Sequence, residues 1–210
     1  MSTSRAPLFA GIAIVAILAG VMAAQFTKAP RHAELQLANG TVLTDPRAVP
    51  EFQLIDSNVQ AYSHSQLTGH WSLLFFGYTS CPDVCPTTLT TLAQVHKQLI
   101  DLTDSKRLQM VFVSVDPKRD TPAQVGQYVK FFNADFVGLT GTPQNIEQFT
   151  NAMGVPVAIH DSGNGTYTVD HAATLFLLDP QARLAAVFSP PHNTATLASD
   201  LRAVINQPAQ

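Results

Sequence analysis

Cys81 and Cys85 are the only two cysteines of this chain, and they stand four residues apart in Cys81-Pro82-Asp83-Val84-Cys85-Pro86. A thiolate is both the nucleophile of thiol–disulfide exchange and a ligand for soft metal ions. On a helical turn an offset of four brings two side chains to one side, near enough for both sulfurs to bind one ion. The same offset permits a Cys81–Cys85 disulfide when the pair is oxidised. Two thiolates alone hold Cu(I) poorly in a protein that must also release it, and a tetrahedral zinc site takes four ligands. A metal site built on this pair therefore needs a further donor from elsewhere in the chain.

The pair stands where a strand gives way to a helix. Trp71 to Tyr78 is short, apolar and rich in aromatics, the pattern of a strand buried on both faces. Thr87 to Leu102 sets Leu89, Leu92, Val95, Leu99 and Leu102 at spacings of three and four, an amphipathic helix. Upstream, Phe52 to Ile55 reads as a strand, and Asn58 to Ser63 as a turn and another strand. Downstream come a buried strand over Leu108–Val115 and a helix opened by Thr121 as cap and Pro122 at the first helical position. Phe136 to Leu139 follows as a strand, then a helix from Pro143 to Met153 that stops at Gly154. Short strands are expected near Val155–Ile159 and Thr166–Val169, then over Thr174–Leu178 and Leu184–Phe188, with a closing helix over Thr194–Ile205. Alternation followed by a hairpin and a last helix predicts an α/β domain over residues 49–210, a mixed central sheet flanked by helices. Met110 and Met153 fall at core positions.

A strand, a cysteine turn, a helix, a helical crossover, a hairpin and a terminal helix together make a thioredoxin-like layout. Cysteines at that turn meet the unpaired N–H groups and positive dipole end of the helix, which favour thiolate. Redox thioredoxins place two residues between their cysteines, whereas this chain has three. Of the seven histidines (His32, His64, His70, His96, His160, His171 and His192), His171 is distinguished by position. It lies in Val169-Asp170-His171-Ala172-Ala173-Thr174, on the loop that enters the strand facing the cysteine turn. Thioredoxins put a cis-proline there. Imidazole is a good copper ligand, and Asp170 is placed to orient it. The other histidines read as surface residues, and His192 as exposed after Pro190-Pro191. Asp83, between the cysteines, either tunes the charge of the site or serves as a turn residue. Asp116-Pro117 with Arg119-Asp120 ends a central strand, where α/β proteins place functional groups, but reads first as an ion pair and helix cap.

Four ordered segments resemble one family. Phe76-Gly77-Tyr78-Thr79-Ser80-Cys81-Pro82-Asp83-Val84-Cys85-Pro86 is similar to the signature of the Sco/SenC copper chaperones of cytochrome c oxidase assembly. Val113-Ser114-Val115-Asp116-Pro117-Lys118-Arg119-Asp120-Thr121-Pro122 resembles their second motif. Gly138 to Thr142 and Val169-Asp170-His171 resemble the third and fourth. The resemblance implies copper held by Cys81, Cys85 and His171, as Cu(I) and, with added oxygen ligands, Cu(II). It implies delivery to the dinuclear copper centre of oxidase subunit II, and thiol–disulfide activity toward that subunit's cysteines. Ser80 departs from the pattern, since many members carry a histidine before the first cysteine; that residue is not a core ligand. The alternatives are an oxidoreductase in which Cys81 and Cys85 are the catalytic pair, and a redox or copper sensor.

The remaining sequence bounds the setting. Ala6 to Ala24 carries no charge and is almost wholly apolar, with Arg5 before it and Lys28 and Arg31 after. That approaches the about 20 residues of a spanning helix, so residues 1–27 are expected to be a tail and transmembrane anchor. A signal peptide cleaved after Val21-Met22-Ala23-Ala24 is the rival. Either reading puts the domain outside the cytoplasm, and the expectation is a single-pass protein of a bacterial inner membrane facing the periplasm. There the thiols need a reductant or a metal to stay open, so a thiol reductant and a copper donor are expected partners. Residues 28–48 read as a linker or as a small hairpin turning at Asn39-Gly40. A net charge of −3 without a basic run argues against nucleic-acid binding.

Overall fold

The computed structural model describes residues 35–103, 105, 107–161, 163 and 167–207. In chain order the elements are β1 (Gly40–Ala48), β2 (Gln53–Asp56), β3 (Ala61–Ser63), β4 (Trp71–Gly77), α1 (Val84–Gln98) and α2 (Ile100–Thr103). There follow β5 (Leu108–Ser114), α3 (Pro122–Phe132), β6 (Val137–Thr140), α4 (Pro143–Met153), β7 (Ala158–Asp161) and β8 (Tyr167–Asp170). The chain closes with β9 (Leu175–Leu178), β10 (Arg183–Phe188) and α5 (Thr194–Ile205). Eight strands form one sheet in the order β1-β10-β9-β4-β5-β6-β2-β3, and β7 with β8 makes a separate two-stranded sheet. The β4–β5 and β5–β6 pairings are parallel and the others antiparallel, so the sheet is mixed as expected.

Successive residues of a strand point to opposite faces. Leu74 and Phe76 of β4 join a cluster with Val111 and Val113 of β5, Phe149 of α4 and Val169 of β8. Phe75 and Gly77 turn the other way, where a Cβ on Gly77 would stand 2.6 Å from Cys85 Sγ of α1. The helix starts follow their caps. Thr121 accepts the Gln124 N–H, Thr142 accepts the Asn145 N–H, and Gly154 ends α4 at φ 72°.

Three expectations are corrected. Residues 40–48 are neither linker nor hairpin but an edge strand paired with β10, so the domain begins before residue 49. Pro46 is tolerated because it lies on that edge, where the register shifts between Val42 and Arg47. Asn39 makes no tight turn; its amide side chain donates to the Ser189 and Pro191 carbonyls, and Asp200 of α5 accepts the Ala38 and Asn39 N–H groups. The cysteine helix starts at Val84 rather than Thr87 and breaks at Leu99, which places Cys85 in its first turn. The anchor expected over residues 1–27 lies outside the described residues. Among those described, no helix is long and apolar enough to cross a membrane.

Candidate metal centre

β4 is buried from Ser72 onward and delivers Tyr78 to Asp83 as a loop at its C-terminal end, beside the end of β5. A turn from the Cys81 N–H to the Tyr78 carbonyl (3.2 Å) lifts Cys81 to a half-exposed position. Cys85 is 0% exposed, beneath it in α1. The Cys85 backbone N–H points at Cys81 Sγ at 3.5 Å, a donor that complements the negative charge of a metal-bound thiolate. Burial pushes the Cys85 thiol well above its ordinary value; the Tyr78 backbone opposes this and Cys81 adds to it.

His171 enters from the other side, at the exit of β8. Its Nε2 lies 3.2 Å from Cys85 Sγ and its Nδ1 3.3 Å from the Ala172 carbonyl. The ring meets Tyr78 (5.6 Å) and Phe75 (6.0 Å) edge to face. Burial holds its imidazole below the ordinary histidine value, against the opposing pull of the Ala172 and Phe76 backbone and of Asp170. A neutral ring with Nδ1 turned to a carbonyl offers the Nε2 lone pair to a metal. The donor atoms of Cys81, Cys85 and His171 all lie within 4.8 Å of one another. Two sulfurs and one imidazole suit a soft ion at low coordination number, and fall one ligand short of a closed zinc site.

The loop after β5 ties this site to the sheet. Asp120, 1% exposed, accepts the Thr79 N–H (2.9 Å), the Thr79 hydroxyl (2.6 Å) and the Ser114 hydroxyl (2.6 Å). Asp116, 2% exposed, accepts from Arg119 Nε and from the Tyr167 hydroxyl (2.6 Å). The expected ion pair is thus Asp116–Arg119, while the cap of α3 is Thr121. Beside His171 a cavity of about 800 Å³ is lined by Asp116, Ile146, Val155, Val157, Ile159 and Asp170, among others.

The other sequence candidates fall outside the donor cluster. Asp83 occupies the N-cap position of α1, exposed, with its side chain 3.4 Å from the Thr87 hydroxyl and no capping bond. Asp170 does not orient His171 through a hydrogen bond. Alternation along β8 turns its carboxylate outward to His160 Nε2 of β7, at 2.7 Å. His192, expected exposed, instead packs with Nε2 2.6 Å from the Ala173 carbonyl, two residues past His171. No periodicity or motif pointed to His192 or to Tyr167, because both act through chain crossings far apart in sequence.

A family model described as SCO1/SenC matches residues 41–206. A protein of Stutzerimonas stutzeri whose name proposes copper binding is 40% identical over 154 residues, covering 73% of this chain and 75% of its own. The solution structure of apo Sco1 from Thermus thermophilus matches with a TM-score of 0.72 and 36% identity, over 82% of this chain and 99% of that one. The structure of Bradyrhizobium japonicum ScoI with copper bound matches at 0.68 and 35%, over 74% and 98%.

Proposed function

The chain belongs to the SCO1/SenC family, and from that membership we propose that it is a copper carrier whose cargo sits on Cys81, Cys85 and His171. The observation that carries this reading is the convergence of two sulfurs and one imidazole nitrogen within 4.8 Å. Loading Cu(I) replaces the Cys85–His171 contact: the thiol protons leave, and the ion takes the place between Sγ and Nε2. Cys81, half-exposed, is the donor that an incoming ligand reaches first. Release then proceeds by exchange with the recipient's own cysteines and histidines. Cu(II) is held with added oxygen ligands. The Sco family is linked to cytochrome c oxidase assembly, and the recipient in this reading is the dinuclear copper centre of subunit II. Residues 1–27 anchor the chain in a bacterial inner membrane, with the domain in the periplasm. There a copper donor and a thiol reductant keep the pair loadable.

Copper titration of the reduced full chain tests the reading. One Cu(I) per chain is expected, with His171→Ala weakening binding by at least the about 10- to 100-fold that loss of an outer-shell partner costs while the circular dichroism spectrum is unchanged. Binding as tight as wild type in His171→Ala would remove the imidazole from the site. A thiol–disulfide exchange role is favoured by one observation, a half-exposed Cys81 above a buried Cys85, the arrangement of an attacking and a resolving thiol. Turnover on a disulfide substrate that survives His171→Ala would select that role over carriage.

A further inference from the structure

The metal donors sit on two separately held pieces of chain. Cys81 and Cys85 belong to the main sheet and α1, whereas His171 hangs at the exit of a two-stranded hairpin outside that sheet. All four residues of β7 are exposed, and in β8 only Val169 is buried. A lone two-stranded ribbon is marginal in water, so something else must fix it if His171 is to meet the sulfurs.

Arg119 does this. Its Nη1 donates to the Tyr167 carbonyl at 3.0 Å, at the start of β8, and its Nε donates to Asp116. Asp116 in turn accepts the Tyr167 hydroxyl at 2.6 Å, closing a ring of contacts around one guanidinium. The guanidinium carbon lies 3.8 Å from the Tyr167 ring centre and 5.6 Å from that of Tyr78, and Tyr78 packs edge to face on His171. Arg119 Nη2 is buried with no hydrogen-bond partner among the described residues. A planar cation between two ring faces tolerates that, since the π faces stand in for an acceptor. The neighbouring Asp120 grips the cysteine loop through Thr79. One short segment therefore holds both halves of the site.

From this geometry we infer that Arg119 is a positioning residue for the metal, clamping the hairpin so that His171 Nε2 stays within reach of the two sulfurs. The inference rests on the copper reading above. Its test is a double-mutant cycle in the full chain, with Cu(I) affinity read by competition against a chromophoric chelator. Arg119→Gln is expected to lower affinity about 10- to 100-fold, and Arg119→Lys is not expected to restore it, because an ammonium keeps the charge but loses the fork and the stacking. Combining Arg119→Gln with His171→Ala should cost no more than about threefold beyond His171→Ala alone, since both remove the same ligand. In the metal-free reduced protein, amide exchange over β7 and β8 should quicken in Arg119→Gln while β4 and β5 stay protected. Wild-type affinity in Arg119→Gln, losses that multiply in the double variant, or unchanged hairpin exchange would overturn the clamp. Should Arg119→Gln fail to fold, Tyr167→Phe keeps the ring, removes the bond to Asp116, and carries the same cycle with smaller steps. A wild type that binds no Cu(I), or a His171→Ala that binds as wild type, would sink the copper reading instead; the exchange measurement then still decides whether Arg119 holds the hairpin.

Discussion

At the residue scale the two cysteines are chemically unequal although the sequence presents them as a pair. Cys81 is half-exposed, while Cys85 is fully buried with its thiol pushed up by that burial. In the reduced protein at neutral pH a maleimide should therefore label Cys81 at least about tenfold faster than Cys85. Unfolding in denaturant should erase the difference, and mass spectrometry of quenched samples reads both rates. His171 gives a second expectation. Its folded value is depressed below the ordinary 6.5 by burial, so the folded state binds fewer protons than the unfolded one in that window. Its contribution to stability is complete above about pH 6.5 and is lost as the pH falls through the folded value. Denaturant melts of the metal-free protein from pH 7.5 to 5 should show this decline, and His171→Gln should flatten it. Parallel curves for the two proteins would contradict the assignment.

At the element scale the close packing of α1 against the end of β4 sets the depth of Cys85. A Cβ at Gly77 would stand 2.6 Å from Cys85 Sγ and 2.8 Å from the Phe112 ring. Both neighbours are themselves packed, so Gly77→Ala must push the helix N-terminus or the ring aside. The expected cost is about 1–3 kcal/mol in a denaturant melt, together with weaker Cu(I) binding as Cys85 is displaced from its partners. Wild-type stability in Gly77→Ala would show that the strand–helix contact yields more readily than its geometry implies. Most elements were legible in the sequence because their signals are local. Thr121-Pro122 and Gly154 mark helix ends, and the Leu spacing from Leu89 marks an apolar face. The helix α1 starts at Val84, three residues before the expected Thr87. Cys85 stands four residues ahead of Leu89 and continues its apolar face, while Pro86, tolerated in a first turn, looks in the sequence like the point where the helix begins.

At the scale of the whole molecule, the edge strand β1 belongs to the domain although its sequence is polar and carries Pro46. It is held by its pairing with β10 and by Asp200 of α5, which accepts two backbone N–H groups at residues 38 and 39. A chain beginning at residue 49 would leave the β10 edge open and Asp200 without those partners. It should melt at a lower temperature and aggregate, whereas one beginning at residue 36 should unfold cooperatively. Calorimetry of the two fragments compares them directly, and equal melting temperatures would return residues 40–48 to the status of a linker. The anchor proposed for residues 1–27 is tested at the same scale. Carbonate-washed membranes should retain the full chain, and protease added to spheroplasts should reach the domain.

The sequence by itself determined the class of fold, the cysteine turn and the choice of His171 among seven histidines. Each follows from periodicity, a spaced motif or the order of elements, all of which are properties of neighbours along the chain. Tertiary structure alone decided what supports that histidine. Asp170, adjacent in sequence, turns outward to His160, because alternation along a strand sends consecutive side chains to opposite faces. The groups that set the position of the ring are Tyr78, Phe75 and the Ala172 carbonyl, with Arg119, Asp116 and Tyr167 behind them. Arg119 and Tyr167 lie 48 residues apart. Their meeting depends on how β8 returns beside the loop that follows β5, which no local pattern encodes.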